Sequence, residues 1–101
     1  MATDTLQTVR SQLAAHEPEL RRRGVCHLAV SGSVARGEDR MGSDIDLGVE
    51  IEDGRSFSLI RMEETRLLLE DALQRPVDLG EVASLRPTVR AAFDRDHISI
   101  F

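Results

Sequence analysis

Asp44 and Asp46 are separated only by Ile45, and they follow a Gly32-Ser33 step by eleven residues, counted from Ser33 to Asp44. On an extended strand, residues i and i+2 project from one face, so both carboxylates reach a single site. Two carboxylates held that close repel each other unless a cation or a shared proton neutralises them. Mg2+ suits such a hard, all-oxygen pair, because it binds one or two carboxylates and completes its shell with substrate phosphates. Gly32-Ser33 ends an apolar run at a helical turn. Backbone N–H groups there form an anion site, and glycine lets the chain approach a phosphate closely. Phosphate cradle and metal carboxylates in one segment, GSVARGEDRMGSDIDL over residues 32–47, point to nucleotide chemistry.

The elements that must position these residues follow from hydrophobic period and turn residues. Leu6, Val9, Leu13 and Ala14 follow helical spacing from Asp4 to about Leu20, with Pro18 marking a break or a second turn. Arg21, Arg22 and Arg23 before Gly24 fit a basic helix C-terminus with a glycine stop. Val25 to Ser31 predicts a buried first strand, Val34 to Gly37 a brief helical turn, and Glu38 to Ser43 a polar loop. Asp44 to Ile51 alternates apolar with polar residues and predicts the second strand, closed by the turn Glu52-Asp53-Gly54. The longest helix runs from Ser56 to about Gln74, with Leu59, Ile60, Leu67, Leu68 and Ala72 expected on its core face. Pro76 to Leu79 predicts a third strand carrying Asp78, Leu85 to Phe93 a last helix, and Ile98 to Phe101 a terminal edge strand.

Shared use of one site then constrains topology. Gly32-Ser33 lies at the exit of the first strand and Asp44 at the start of the second, so these two strands must be antiparallel. A helical crossover leads to the third strand, which suits a right-handed parallel step and lands Asp78 beside Asp44 and Asp46. The expected fold class is α/β, a small mixed sheet of three to four strands with helices packed on it and three acids at one end.

Composition narrows the chemistry. The 101 residues suit a single domain over residues 1–101 with a modest core. No apolar run is long enough for a membrane span, and MATDTLQTVR has no apolar leader region, so a cytoplasmic location is expected. The formal net charge of -5 and a set of only three aromatics, all Phe, disfavour a long nucleic-acid partner. All basic side chains apart from histidine are arginine, and a Walker-type P-loop needs a lysine. The lone Cys26, among apolar neighbours, reads as a buried, inert thiol.

Singly, each motif has an ordinary explanation: Gly-Ser-Asp is a turn sequence in which Ser43 or Asp44 caps the chain, and Arg36 is a surface residue. In order, and placed on strand, turn and strand, they suit metal-assisted in-line transfer of a nucleotidyl group, with two ions about 4 Å apart. In that chemistry Asp44 and Asp46 share the ions, and Asp78 holds the metal at the incoming hydroxyl or accepts its proton. Ser33 and nearby amides hold the outer phosphates, and Arg36 adds charge near the triphosphate.

The pattern G-S-x-x-R-G…S-D-x-D-L, formed by Gly32, Ser33, Arg36, Gly37, Ser43, Asp44, Asp46 and Leu47, resembles that of the polymerase-β-like nucleotidyltransferases. More narrowly, the chain resembles the minimal nucleotidyltransferases that serve as antitoxins to HEPN-domain toxins, and the likeness covers nearly its whole length. Asp78, in PVDL, stands where the family's third acid is expected. The resemblance implies a mixed sheet, ATP as substrate and Mg2+ as cofactor. Its catalytic and metal-binding set is Asp44, Asp46 and Asp78, and its nucleotide-binding set is Gly32, Ser33, Arg36 and Ser43. It further implies transfer of AMP to a tyrosine of a cognate HEPN toxin. Gly48 and Gly80 replace the larger apolar residues common at their positions, which is expected to loosen the strands. Two other readings stay open: a module that neutralises its partner by occlusion, and an enzyme acting on a small molecule, like the antibiotic nucleotidyltransferases. The latter usually carry an added helical domain, and none is read in these residues.

Overall fold

Strand order is what brings the acids together, and it is the order that the shared site requires. In the computed structural model, which describes residues 5–101, four strands form one mixed sheet in the order β3-β2-β1-β4. Strand β1 (Val25–Ser31) pairs antiparallel with β2 (Ile45–Ile51), and β2 pairs parallel with β3 (Val77–Glu81). The edge strand β4 (Ile98–Ser99) lies antiparallel on the other side of β1. Beyond it, the Ile100 amide donates to the Leu28 carbonyl at 2.8 Å, so the edge continues without regular pairing. A register shift between Val25 and His27 places Cys26 at an irregularity of the ladder. Its Sγ lies 3.3 Å from the Glu50 carbonyl and the residue is half-buried, not enclosed as expected.

One face of the sheet carries the main core. Leu28 and Val30 of β1 and Ile45, Leu47 and Val49 of β2 join Val9 and Leu13 of α1 (Thr5–Ala15), Leu20 of α2 (Glu17–Arg22) and Leu69 of α4 (Leu59–Leu73). Leu13, Leu20 and Leu69 are 0% exposed, and each such burial contributes roughly 1.5–3 kcal/mol. The expected helical start at Asp4 lies outside the described residues. The helix expected to reach Leu20 is two helices, broken at His16, with Pro18 in the first turn of the second. The triple arginine closes α2 through pairs to its own Glu17 and Glu19, and Gly24 follows with φ of 104°.

Helix α4 corrects the sequence expectation in phase. Leu59, Ile60 and Leu67 are 89%, 74% and 51% exposed, while Thr65, Leu69 and Leu73 are the buried residues. Leu68 and Ala72 are half-buried at the margin. The run Leu67-Leu68-Leu69 allows two apolar faces to be drawn, and Thr65 conceals the true one. Its hydroxyl donates to the Arg61 carbonyl at 2.8 Å, so a polar residue enters the core with its hydrogen bond made. The helix starts at Leu59, later than the expected Ser56, because the Ser58 hydroxyl accepts from the Arg61 amide at 3.1 Å as its N-cap.

The opposite face is covered by α5 (Pro87–Asp96), which follows a 3-10 turn at Val82–Ser84. The expected start at Leu85 is displaced because Pro87 sits in the first turn, where its missing N–H costs nothing. Phe93 of α5, Val82 and Ala29 form a second, small cluster there with Leu85 against it. Gly48 does not loosen its strand: a Cβ on it would stand 2.6 Å from Phe93 Cε2, so the ring occupies that space. Leu85 lies similarly over Gly80, at 3.4 Å from a Cβ built there.

Candidate active site

The site grows from the corner where β1 becomes helix α3 (Gly32–Arg36). Ser31 ends the strand in extended conformation, and Gly32 turns the chain with φ of 70°, a left-handed value that favours glycine. A second constraint acts on the same residue. A Cβ on Gly32 would overlap Asp46 Oδ2 and come within 3.1 Å of Asp46 Cγ. The glycine therefore lets the turn and the carboxylate touch. Val34 buries the turn, Gly37 ends it at φ of 72°, and the Glu38 amide donates to the Ser33 carbonyl at 2.8 Å.

Across the sheet, Ser31 of β1, Asp46 of β2 and Asp78 of β3 form one rung: Asp46 is the register partner of both neighbours. Partners in register project to the same face, so the two carboxylates stand side by side. Asp44 lies just before β2, exposed, since the strand starts at Ile45 rather than at the expected Asp44. Asp46 is half-buried and Asp78 exposed. Burial raises the Asp46 carboxyl above the ordinary carboxylate value, and the charges of Asp78 and then Asp44 raise it further, while Arg36 opposes them. The four charged side chains thus act on one another electrostatically.

A cleft of about 260 Å³ opens on this rung. Ser31, Gly32, Arg36, Asp46 and Asp78 line its polar end, and Leu85, Val89 and Phe93 its apolar wall. Arg36 donates to Glu38 at 2.8 Å and to Asp96 of α5 at 3.3 Å, bridging the turn to the far wall. Ser33 occupies the second position of α3, half-buried, and is not part of the wall; nor are Asp44 and Ser43. The Ser43 hydroxyl accepts from the Arg40 amide at 2.9 Å, so it orders the polar loop ahead of Asp44. Of the residues proposed from sequence, the structure brings Gly32, Arg36, Asp46 and Asp78 together at the cleft, with Asp44 and Ser33 adjacent in the chain.

The donor set fits Mg2+: three carboxylates, oxygen only, one of them burdened by the charge of the other two, a burden that a cation relieves. As they stand they are not drawn around one point, since among the described residues no three acidic, histidine or cysteine side chains form a metal-binding group. Sequence reasoning missed the α5 wall and Asp96, which carry no motif and reach the site only through the fold. It also missed Arg75, whose guanidinium donates to the Ser43 carbonyl at 2.7 Å.

Known proteins resemble the chain in sequence and in fold. The family model of the nucleotidyltransferase domain matches residues 13–99. The protein adenylyltransferase MntA of Thermococcus cleftensis is 37% identical over 101 residues, covering 99% of this chain and 100% of that protein. The solved structure of a protein described as a minimal nucleotidyltransferase is 38% identical, covers 92% of this chain and 93% of its own, and superposes with a TM-score of 0.77. A solved complex from Shewanella oneidensis, of a tri-AMPylated HEPN toxin with MNT antitoxin, has a TM-score of 0.69. It is 18% identical over 95% of this chain and 71% of that one, a likeness of fold. Matched along most of its length by the family and from end to end by a relative, the chain belongs to the nucleotidyltransferase-domain family, among its minimal members.

Proposed function

We propose that this nucleotidyltransferase transfers AMP from ATP to a tyrosine hydroxyl of a cognate HEPN-domain toxin, with Mg2+ as cofactor, and so acts as a cytoplasmic antitoxin. The observation that carries the reading is the rung of Ser31, Asp46 and Asp78, set against Gly32 at the mouth of the cleft. Support for the acceptor comes from the relatives: one is named a protein adenylyltransferase, and the Shewanella complex pairs an AMPylated HEPN toxin with an MNT antitoxin.

Asp44, Asp46 and Asp78 are the residues that would hold Mg2+, which would neutralise them and the charge that builds on the phosphate oxygens in the transition state. The Gly32-Ser33 turn would offer its backbone N–H groups to the triphosphate, while the missing Cβ of Gly32 makes room for the Asp46 carboxylate beside it. Arg36, already in the cleft wall, offers its guanidinium to the phosphates in exchange for Glu38 and Asp96. The acceptor oxygen attacks the α-phosphorus, its proton passes to Asp78 on the exposed edge strand, and the bond to the bridging oxygen breaks to release pyrophosphate. AMP on the toxin adds bulk and negative charge at its functional surface.

The test is the intact mass of the partner that co-purifies with the tagged chain, compared with the Asp44→Asn, Asp46→Asn double variant. A partner gaining AMP mass only with the parent chain supports the enzyme. An unmodified partner held equally by both forms overturns it in favour of neutralisation by occlusion.

A further inference from the structure

Asp44 is exposed and precedes β2, so ladder pairing does not hold it, yet the residues on either side of it are both fixed by one short segment. On one side, Arg75 Nη2 donates to the Ser43 carbonyl at 2.7 Å and to the Arg40 carbonyl at 3.4 Å. On the other, the Ile45 amide donates to the Pro76 carbonyl at 2.9 Å. Arg75 Nη1 also pairs with Asp39 at 3.5 Å, so the guanidinium spans the loop from Asp39 to Ser43. Its own placement is determined: Gln74 ends α4 in the left-handed region at φ of 56°, which turns the next residue back toward the loop. Three residues further on, Asp78 is set beside Asp46 by the β3 register.

The Arg75 Nε is buried with no hydrogen-bond partner among the described residues. The geometry thus favours the terminal nitrogens on the loop carbonyls at the expense of the third donor. A guanidinium can serve two carbonyls and a carboxylate at once, whereas an ammonium on a flexible stem cannot hold the same fork.

We propose that Arg75 is a positioning residue for the metal-binding carboxylates: by bracing residues 39–43 from the α4–β3 corner, it fixes where Asp44 stands relative to Asp46 and Asp78. The inference rests on the reading of those acids as Mg2+ ligands. Residues that orient ligands from behind change metal affinity by about 10–100-fold when replaced.

The experiment titrates Mn2+, as a spectroscopic stand-in for Mg2+, into the whole protein with a non-hydrolysable ATP analogue, read by electron paramagnetic resonance. The variants are Arg75→Met, Arg75→Lys and, as a stability control, Val9→Ala in the α1 core. All are measured below every melting temperature, alongside AMP transfer by the same preparations. Arg75→Met is expected to weaken Mn2+ binding about tenfold, Arg75→Lys to recover part of that loss, and Val9→Ala to lower Tm with affinity unchanged. Should Arg75→Met fail to fold, Arg75→Lys and Asp39→Asn carry the test, each with a loss of about threefold. Parent-like affinity in the Arg75 variants, or an equal loss in Val9→Ala, overturns the positioning role while leaving the enzyme reading intact. A parent chain that binds no Mn2+ and transfers no AMP overturns both.

Discussion

Replacing Asp46 with Asn should stabilise the metal-free protein while abolishing its activity, a combination that a purely structural aspartate would not give. The carboxyl is half-buried, stands beside Asp78 in register, and senses Asp44 as a third like charge. A like-charge pair about 4 Å apart repels by roughly 1 kcal/mol in bulk water and roughly 4 kcal/mol at an effective dielectric of 20, and by less at longer range. Asp78 is exposed, which favours the low end, and Arg36 offsets part of the sum. A net gain of about 1 kcal/mol is expected, which raises Tm by about 4–8 °C in a domain of this size. The sign against pH follows from the raised carboxyl. With a folded value above the ordinary 3.8, the native state holds a proton that the unfolded chain has released, so parent stability falls as pH rises through the folded value. The advantage of Asp46→Asn is therefore full above that point and disappears below about 3.8. Thermal melts from pH 3.5 to pH 8 in chelator give the measurement, repeated with Mg2+ and ATP analogue, which should raise Tm of the parent but not of the variant. A variant melting at or below the parent at neutral pH in chelator would refute the electrostatic argument.

Two further substitutions test the close contacts. Gly32→Ala places a Cβ in the left-handed region, at about 1–2 kcal/mol, and drives it into Asp46; thermal melts should show at least that loss, and the transfer assay a drop well beyond what lost stability explains. Gly48→Ala sets a methyl 2.6 Å from Phe93 Cε2 and should cost about 1–3 kcal/mol by overpacking, read from the midpoint of urea unfolding. A wild-type midpoint would mean that Phe93 moves aside freely.

The sheet was legible because two independent signals agree on it. Alternation from Ile45 to Ile51 gives the strand and its faces, and the need to bring Gly32-Ser33, Asp44 and Asp78 to one end gives its antiparallel and parallel neighbours. The phase of α4 was not legible. Its outer face carries Leu59, Ile60 and Leu67, while its inner face hides Thr65, whose hydrogen bond back to Arg61 has no trace in an apolar pattern. Strand β3 runs on to Glu81 because parallel pairing with Gly48 and Val49 extends it past the expected Leu79. At the cleft, Gly32, Arg36, Asp46 and Asp78 could be picked out from type and spacing, whereas Ser33, Ser43 and Asp44, picked out the same way, do not line it. Arg75 and Asp96 could not, since each meets its partner more than thirty residues away along the chain.

The rung of Ser31, Asp46 and Asp78 also bears on how errors in folding are reported. Side chains alternate along β2, so a slip of one residue would send Asp46 toward the core and turn the Leu47 side chain out of it. Because β2 is paired on both sides, such a slip would misalign two ladders together, and no partial version would leave the carboxylates paired. On the proposed role of Asp46 and Asp78, a mispaired molecule would be silent, not sluggish. Specific activity in a refolded sample would then count correctly registered chains, and an active-site titration would measure sheet register.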